Sequence, residues 1–379
     1  MVAAAVRIPA SDPRRWTRAQ SNECFLGGGS AREWPIYTAG VPDQLVSLRR
    51  IEETREVVAA KVHRTPILSS RTAGEYAATA AGVSLGGGRV HLKAEHLQRT
   101  GSFKPRGMVA RVAALTAEER RAGIITLSAG NAGQAYAWAG RAAGVPTTVV
   151  MPAGAVRSKV DACLGYGAEV ILHGVDVGET FARMEEIRVE RGLVFTHPFD
   201  DPDVVAGHGS LGLEILDDLP EVDVVVVGVG GGGLISGVAA ALKERRPAAR
   251  VYGVEPRNSA AMSLAMAAGE PVTIQPRSVA DGLGAPFAGV LPLAMCQRYL
   301  DGIVLLDDAT ILAGLRFAAE RLKQVLEPAG AAALAAVLNG QIPIRDGETV
   351  CVVASGGNVA VERLGELLAA AGTFMGGAQ

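Results

Sequence analysis

The sequence predicts an α/β fold, with parallel twisted sheets covered by helices and divided between two domains. Three observations carry that expectation. From Ile124 onward, short apolar runs alternate with helical stretches: "IITLS", "GQAYAWAGRAAG", "TTVVM", "AEVIL", "GETFARMEEIRVERG" and "LVFT". This is the pattern of repeated βαβ units, which build a parallel sheet between layers of helix. A second set repeats the alternation with "VDVVVVGV", a helix over 234–246, "ARVYGVEP", a helix over 309–324 and the strand "TVCVVAS". Finally, the loops "SAGNAG", "GVGGGG" and "SGGN" each follow directly on an expected parallel strand. Ligands of open α/β sheets bind outside the carboxyl ends of strands, so these loops are expected to meet at one cleft.

The economical division takes 123–197 as a small domain and 46–122 with 198–370 as a large one. Residues 1–45 are an N-terminal extension of unreadable role. Its opening, "MVAAAVRIPASDPRRWTR", has too short and too interrupted an apolar run for a secretory signal. It reads as a loose extension or an upstream start codon. The stretch "VVVVGVGGGGLISGVAAAL" could span a bilayer by length alone, but its six glycines, Asp223 before it and "KERR" after it make it strand, glycine loop and soluble helix.

Composition narrows the class of function. With 37 basic and 39 acidic residues and no long block of either sign, nucleic acid and anionic membrane are not favoured partners. The cysteines Cys24, Cys163, Cys296 and Cys351 stand far apart and form no CxxC pair, which points away from a disulfide framework or zinc site and towards a reducing cytoplasm.

The first candidate for chemistry lies in "LQRTGSFKPRGM", residues 97–108. Pro105 biases Lys104 away from helical dihedrals and itself suits the first position of a helix, so Lys104 is placed where a loop enters a helix. Standing alone, such a lysine is most simply a solvated or capping residue.

The second candidate is Gly228-Val229-Gly230-Gly231-Gly232-Gly233, which satisfies GxGxxG between strand and helix and is followed roughly twenty residues later by Glu255. A nicotinamide-dependent dehydrogenase, with Glu255 on a ribose hydroxyl, is therefore a real competitor. Four consecutive glycines, Gly230 to Gly233, look more like a cup for one compact phosphate. A packing turn with no ligand is the third possibility. The dehydrogenase has no use for Lys104, whereas a cofactor with one aldehyde and one phosphate needs both lysine and cup. Pyridoxal 5'-phosphate is that cofactor.

Taken together, "LKAEHLQRTGSFKPRG", "SAGNAGQAYAWAG", "GVGGGGLISG", "EPAGAA" and "ASGGN", in this order, resemble the fold-type II pyridoxal-phosphate enzymes of the serine/threonine dehydratase and serine racemase group. The resemblance runs from about Leu48 to about Leu368 and implies a two-domain, tryptophan synthase β-like architecture. It implies that Lys104 holds the cofactor as a Schiff base and then serves as the base for the α-proton. Phe103 would pack on the pyridine ring, and Asn131 would hold its ring hydroxyl. Gly230, Gly231, Gly232, Gly233 and Leu234 would take the phosphate. Ser355 would face the pyridine nitrogen, and Ser128, Ala129, Gly130, Asn131 and Ala132 would grip the substrate carboxylate.

Departures from the family pattern matter too. Racemases of the group carry a serine where Ala129 stands, so racemisation is not expected. Ala132 replaces a common histidine, which leaves the substrate side chain open. Ala261 stands where some members have a cation-binding aspartate, so no metal is expected at Glu255. "HPFDDPDVVAGHG", with His197, Asp201 and His208, is expected to be a polar domain-crossing loop rather than a metal site.

The resulting expectation is a cytoplasmic, homodimeric ammonia-lyase that converts a β-hydroxy amino acid, L-threonine or L-serine in the simplest case, to a 2-oxo acid and ammonia. Another β-elimination or β-replacement enzyme acting on a bulkier substrate, the dehydrogenase, and a non-catalytic pyridoxal-phosphate carrier stay open. Only 21 residues follow Asn358, so feedback through a C-terminal regulatory domain is not expected.

Overall fold

The computed structural model describes residues 44–374, so the N-terminal extension lies almost wholly outside the described residues. Helix α1 (Leu48–Ala59) starts at Ser47, whose hydroxyl accepts from Arg50 N. Strand β1 (Ile67–Ser70) leads to α2 (Arg71–Ala81), which Ser70 caps in the same way. Antiparallel to β1 runs β2 (Val90–Lys93), and the chain then enters α3 (Pro105–Ala113) and α4 (Ala117–Ala122).

The next strands, β3 (Ile124–Leu127), β4 (Thr147–Met151), β5 (Glu169–Leu172) and β6 (Val194–Phe195), form a sheet of their own in the order β5-β4-β3-β6. All its pairings are parallel. Crossovers run through α5 (Asn131–Ala143), α6 (Arg157–Gly165) and α7 (Val177–Arg191). Its strands are short and apolar because both faces are covered: Ile125 and Val150 pack with Met184 and Ile187 of α7, whereas Val149 and Met151 face Ala137 of α5 and Val160 of α6. We propose to read this sheet and its helices, 123–197, as a separate small domain.

After α8 (Pro202–Asp218) the chain rejoins the first sheet with β7 (Val224–Gly228), α9 (Gly233–Arg245), β8 (Arg250–Pro256), α10 (Ala261–Ala268), α11 (Val290–Tyr299) and β9 (Gly302–Leu306). It closes with α12 (Asp308–Phe317), α13 (Pro328–Leu338), β10 (Val350–Val353) and α14 (Val361–Ala370). The sheet order is β1-β2-β10-β7-β8-β9. Alternation along β7 sorts the core: Val224 and Val226 lie with α12 and α13, and Val225 and Val227 with α8, α9 and α11.

Two expectations need correction. The helix over 309–324 ends at Phe317 and widens into a π-type turn over Ala318–Leu322, closed by Lys323 at φ 60°, a left-handed backbone that cannot continue a helix. The "HPFDDPDVVAGHG" segment is a loop only as far as Asp201. The Asp201 carboxylate accepts from Asp203 N and Val204 N, Pro202 takes the first helical position, and the remainder is the buried start of α8. The glycine-rich apolar stretch resolves into β7, loop and α9, and no described helix is long and apolar enough to cross a membrane.

Topology already points to a cleft. In the first sheet the strand order reverses between β7 and β10; in the second it reverses between β3 and β6. The loops leaving these four strands are 128–130, 196–201, 229–232 and 354–360, and each opens at a switch point where ligands of open sheets bind. A buried ion network braces the floor beneath. Arg106 of α3, with no exposed surface, pairs both carboxylate oxygens of Glu95 (2.8 and 2.9 Å) and both of Glu214 (2.8 Å each), and Lys93 reaches Glu214 at 2.8 Å. Removing one partner from such a network would cost about 3–5 kcal/mol, because the remaining charges would be buried unpaired.

Candidate active site

Lys104 sits at the mouth of α3, but not in the extended backbone that Pro105 favours. Its φ and ψ are −52° and −38°, in the helical region. Tertiary pinning overrides the local bias: Phe103 N donates to Ser355 O (3.0 Å), and Arg106 N and Met108 N already bond back to Phe103 O and Lys104 O. The ammonium is therefore held at a helix start and aimed across the cleft, where Nζ donates to Pro198 O at 3.0 Å. Desolvation pulls its pKa down to about 8, with Glu327 opposing the shift. A lysine so placed surrenders its proton near neutrality, as a nucleophile and base must.

Phe103 lies 5.0 Å from Lys104 Nζ, measured to its ring centroid, and meets the ring of His208 edge-on at 4.8 Å. Across the cleft, Gly230 to Leu234 form the turn into α9. Gly232 has φ +93° and caps the helix without any side-chain hydrogen bond, and Gly233, Leu234 and Ile235 are all buried. A buried helix start with no cap leaves N–H groups unpaired, which is costly unless an anion takes them. The glycines are also required sterically: a Cβ on Gly231 would stand 2.4 Å from the Phe199 ring, and one on Gly233 would stand 2.7 Å from Phe199 O.

The small-sheet loop supplies a second uncapped helix start. Gly130 precedes α5 with no side-chain cap, although Ser128 Oγ accepts from Gly130 N at 3.2 Å. Asn131 opens the helix and reaches the large sheet twice, donating to Glu327 Oε1 (2.7 Å) and accepting from Asn358 Nδ2 (2.8 Å). Ala132 is buried beneath it, and Ala129 packs its methyl against the small-sheet core. Ser355 is buried at the end of β10. Direct contacts thus join Lys104, the glycine turn, the Asn131 loop and the Ser355 loop into one cleft.

The other candidates have different duties. Glu255 accepts from Met262 N (2.8 Å), Ser263 N (2.9 Å) and Ser263 Oγ (2.6 Å), so its buried carboxylate anchors the start of α10 and is not free for a ribose. That removes the acidic residue on which the dinucleotide reading rested. His197 Nδ1 accepts from Phe199 N and Asp200 N, and burial holds its pKa down at about 3; Asp201 caps α8, and His208 lies within that helix. No cluster of metal-ligating side chains occurs among the described residues.

Three contributors escaped sequence reasoning. Glu327 is buried and pushed up to about 7 by desolvation, and its position before Pro328 in "EPAGAA" was the available signal. Asn358 stood in the "SGGN" loop without a role. The loop 196–201 carries Pro198 and Phe199, and nothing local to it marked its contacts with Lys104 and the glycine turn.

The site tests well against a cofactor bearing one aldehyde and one phosphate. A lysine with a lowered pKa and a buried helix start without a side-chain cap border the same cleft, and the first suits an aldehyde as the second suits a phosphate. Comparison with known proteins agrees. Residues 60–356 match the family described as pyridoxal-phosphate dependent enzyme. The L-threonine ammonia-lyase of Thermotoga maritima is 39% identical over 325 residues, covering 86% of this chain and 78% of that protein. The catabolic L-threonine dehydratase TdcB of Escherichia coli K12 is 38% identical over 328 residues, covering 86% and 97%. Among solved structures, maize serine racemase superposes with a TM-score of 0.79 at 31% identity, covering 85% of this chain and 97% of that one. A tomato threonine deaminase, the processed form of isoform 2 from Solanum lycopersicum, gives 0.77 at 31% identity, covering 87% and 96%.

Proposed function

The chain belongs to the pyridoxal-phosphate dependent enzymes, and from that premise we propose that it is an ammonia-lyase acting on a β-hydroxy amino acid, with L-threonine the first substrate to test and L-serine the second. The observation that carries this reading is Lys104: an amine brought down to about 8, held by Pro198 O at 3.0 Å and facing the uncapped start of α9. The named relatives at 38–39% identity support threonine as substrate.

Bound pyridoxal phosphate supplies an aldehyde for an amine and an electron-withdrawing ring that acidifies the α-proton and eases departure of the β-group. The chain's residues do the rest. Lys104 Nζ would be the amine that holds the cofactor's aldehyde end and, when free and neutral, would be the base for the α-proton. The N–H groups of Gly230 to Leu234, at the positive end of α9, would hold the phosphate. Asn131 would donate to the ring oxygen, Phe103 would pack beside the ring, and Ser355 would offer the ring nitrogen a hydroxyl rather than a carboxylate, which would enforce no full positive charge there. Ser128 to Ala132 at the start of α5 bind the substrate carboxylate. The α-proton and the β-hydroxyl leave as water; the enamine released tautomerises and is hydrolysed to 2-oxo acid and ammonia.

Several solved neighbours are racemases, and racemisation is the reading to separate from elimination. It requires a proton donor on each face of Cα, and the Ala129 methyl, turned to the small-sheet core, donates nothing. The purified enzyme, offered a panel of β-substituted L-amino acids, should release 2-oxo acid and ammonia in equal amounts with no accumulating D-enantiomer on chiral chromatography. Abundant D-product would overturn the assignment, and preference for a bulkier substrate would move it to another β-elimination. The resemblance further supports a cytoplasmic homodimer, and light scattering on the purified protein would test the dimer.

A further inference from the structure

Among the described residues, only Thr100 and Lys323 are non-glycine residues with positive φ. Thr100 is β-branched and sits at φ 58°, ψ 14°, in the loop four residues before Lys104. A left-handed β-branched residue costs about 1–3 kcal/mol and persists only where its surroundings hold it. The threonine hydroxyl does not offset that cost, since Oγ1 is buried without a partner. What the conformation achieves is the direction of the carbonyl: Thr100 O accepts from Asn358 Nδ2 at 2.7 Å.

From that carbonyl the orientation of two side-chain amides follows. A backbone carbonyl can only accept, so Asn358 must turn its nitrogen towards Thr100. The same nitrogen lies 2.8 Å from Asn131, so Asn131 must present its oxygen there. The Asn131 nitrogen is then on the other side, where it donates to Glu327 Oε1 at 2.7 Å and keeps one N–H to spare. Asn358 is tightly seated in this orientation, since a Cβ on Gly101 would stand 2.2 Å from its Oδ1, and Gly357 N bonds Gly101 O at 2.9 Å. The lysine loop, the loop after β10, the start of α5 and the start of α13 are thereby keyed together by one chain of donors and acceptors.

We propose that Asn358, oriented by the Thr100 carbonyl, is a positioning residue that locks the Asn131 amide with its nitrogen towards Glu327 and the ring oxygen of the cofactor. The proposal rests on the reading of Asn131 given above as the donor to that oxygen. Asn358→Asp nearly preserves shape but replaces the donor by an acceptor facing two other acceptors, and Asn358→Ala removes the group.

The test compares both variants with Asn131→Ala by the visible absorption of the substrate-free holoenzyme and by kcat and KM. With the donated hydrogen bond lost, the ring oxygen retains its own proton, so the long-wavelength cofactor band should give way to the short-wavelength one. We expect this change in Asn131→Ala and in both Asn358 variants, with kcat down about tenfold, the scale of one lost hydrogen bond. Asn358→Asp added to Asn131→Ala should change the spectrum no further. If Asn131→Ala alters the spectrum while neither Asn358 variant does, the positioning role is refuted and the Asn131 reading stands. If none alters it, the Asn131 reading fails and takes the positioning role with it.

Discussion

A lysine ammonium in water holds its proton well above neutral pH, and Lys104 departs from that behaviour for a reason visible around it. Desolvation is the larger influence and lowers its pKa to about 8, while the Glu327 carboxylate resists. The neutral fraction of Lys104 rises with pH up to that value and saturates above it. Uptake of pyridoxal phosphate by the cofactor-free chain should therefore accelerate about tenfold per pH unit from pH 6 towards 8 and then level, followed by stopped-flow absorbance. Lys104→Ala should take up no borohydride-stable label, whereas a label mapping to another lysine would displace it from the centre of the site. Lys104 itself was legible from one sequence only in combination with the glycine cup, since its local company alone reads most simply as a solvated or capping lysine. Glu327 was not, because its raised pKa arises from burial between two sheets, and no neighbour in sequence reports that.

At the scale of elements, the helix starts are where the proposed binding is placed. Those of α9 and α5 are uncapped by side chains, unlike those of α1, α2 and α8, where Ser47, Ser70 and Asp201 supply an oxygen. A missing side-chain cap also occurs at α6, α13 and α14, so what singles out α9 and α5 is that their starts open on the cleft beside Lys104. Gly232 is the most exacting position. Its φ of +93° is strained for any side chain, and a Cβ there would lie 2.3 Å from Met262 Cε and 2.8 Å from Pro292 Cβ. Gly232→Ala should weaken retention of pyridoxal phosphate at least about tenfold, measured by equilibrium dialysis, through strain of about 1–3 kcal/mol at the turn. Unchanged retention would show that the phosphate is held elsewhere. Helix and strand positions were legible because apolar periodicity is local. The π-type turn after α12 and the backbone of Lys104 were not, since packing against distant strands overrode the local preference.

Across the whole molecule, the two sheets meet around the cleft, and one ion pair spans it at the surface. Lys159 of α6 reaches Asp281 at 2.7 Å, and the turn Asp281–Leu283 lies against Gly228 and Gly230. The aspartate is well exposed, so the pair is screened and its contribution modest. Asp281→Lys should raise KM for the amino acid about two- to fivefold with little change in kcat, and combining it with Lys159→Asp should restore most of the loss. A change confined to kcat would mean that the contact acts on chemistry rather than on closure over the substrate.

The sequence by itself determined the alternation of strand and helix, the loops that follow β3, β7 and β10, and the pairing of a distinctive lysine with a glycine cup. Those properties are written in local patterns of apolar spacing, proline and glycine. Tertiary structure alone decided that Glu255 is spent on the start of α10, that Pro198 and Phe199 close the cleft opposite Lys104, and that Thr100, Asn358, Asn131 and Glu327 form one chain. Each of these joins residues brought together by the fold rather than by local pattern. The burial and hydrogen bonds that set their chemistry exist only once the two sheets have packed together.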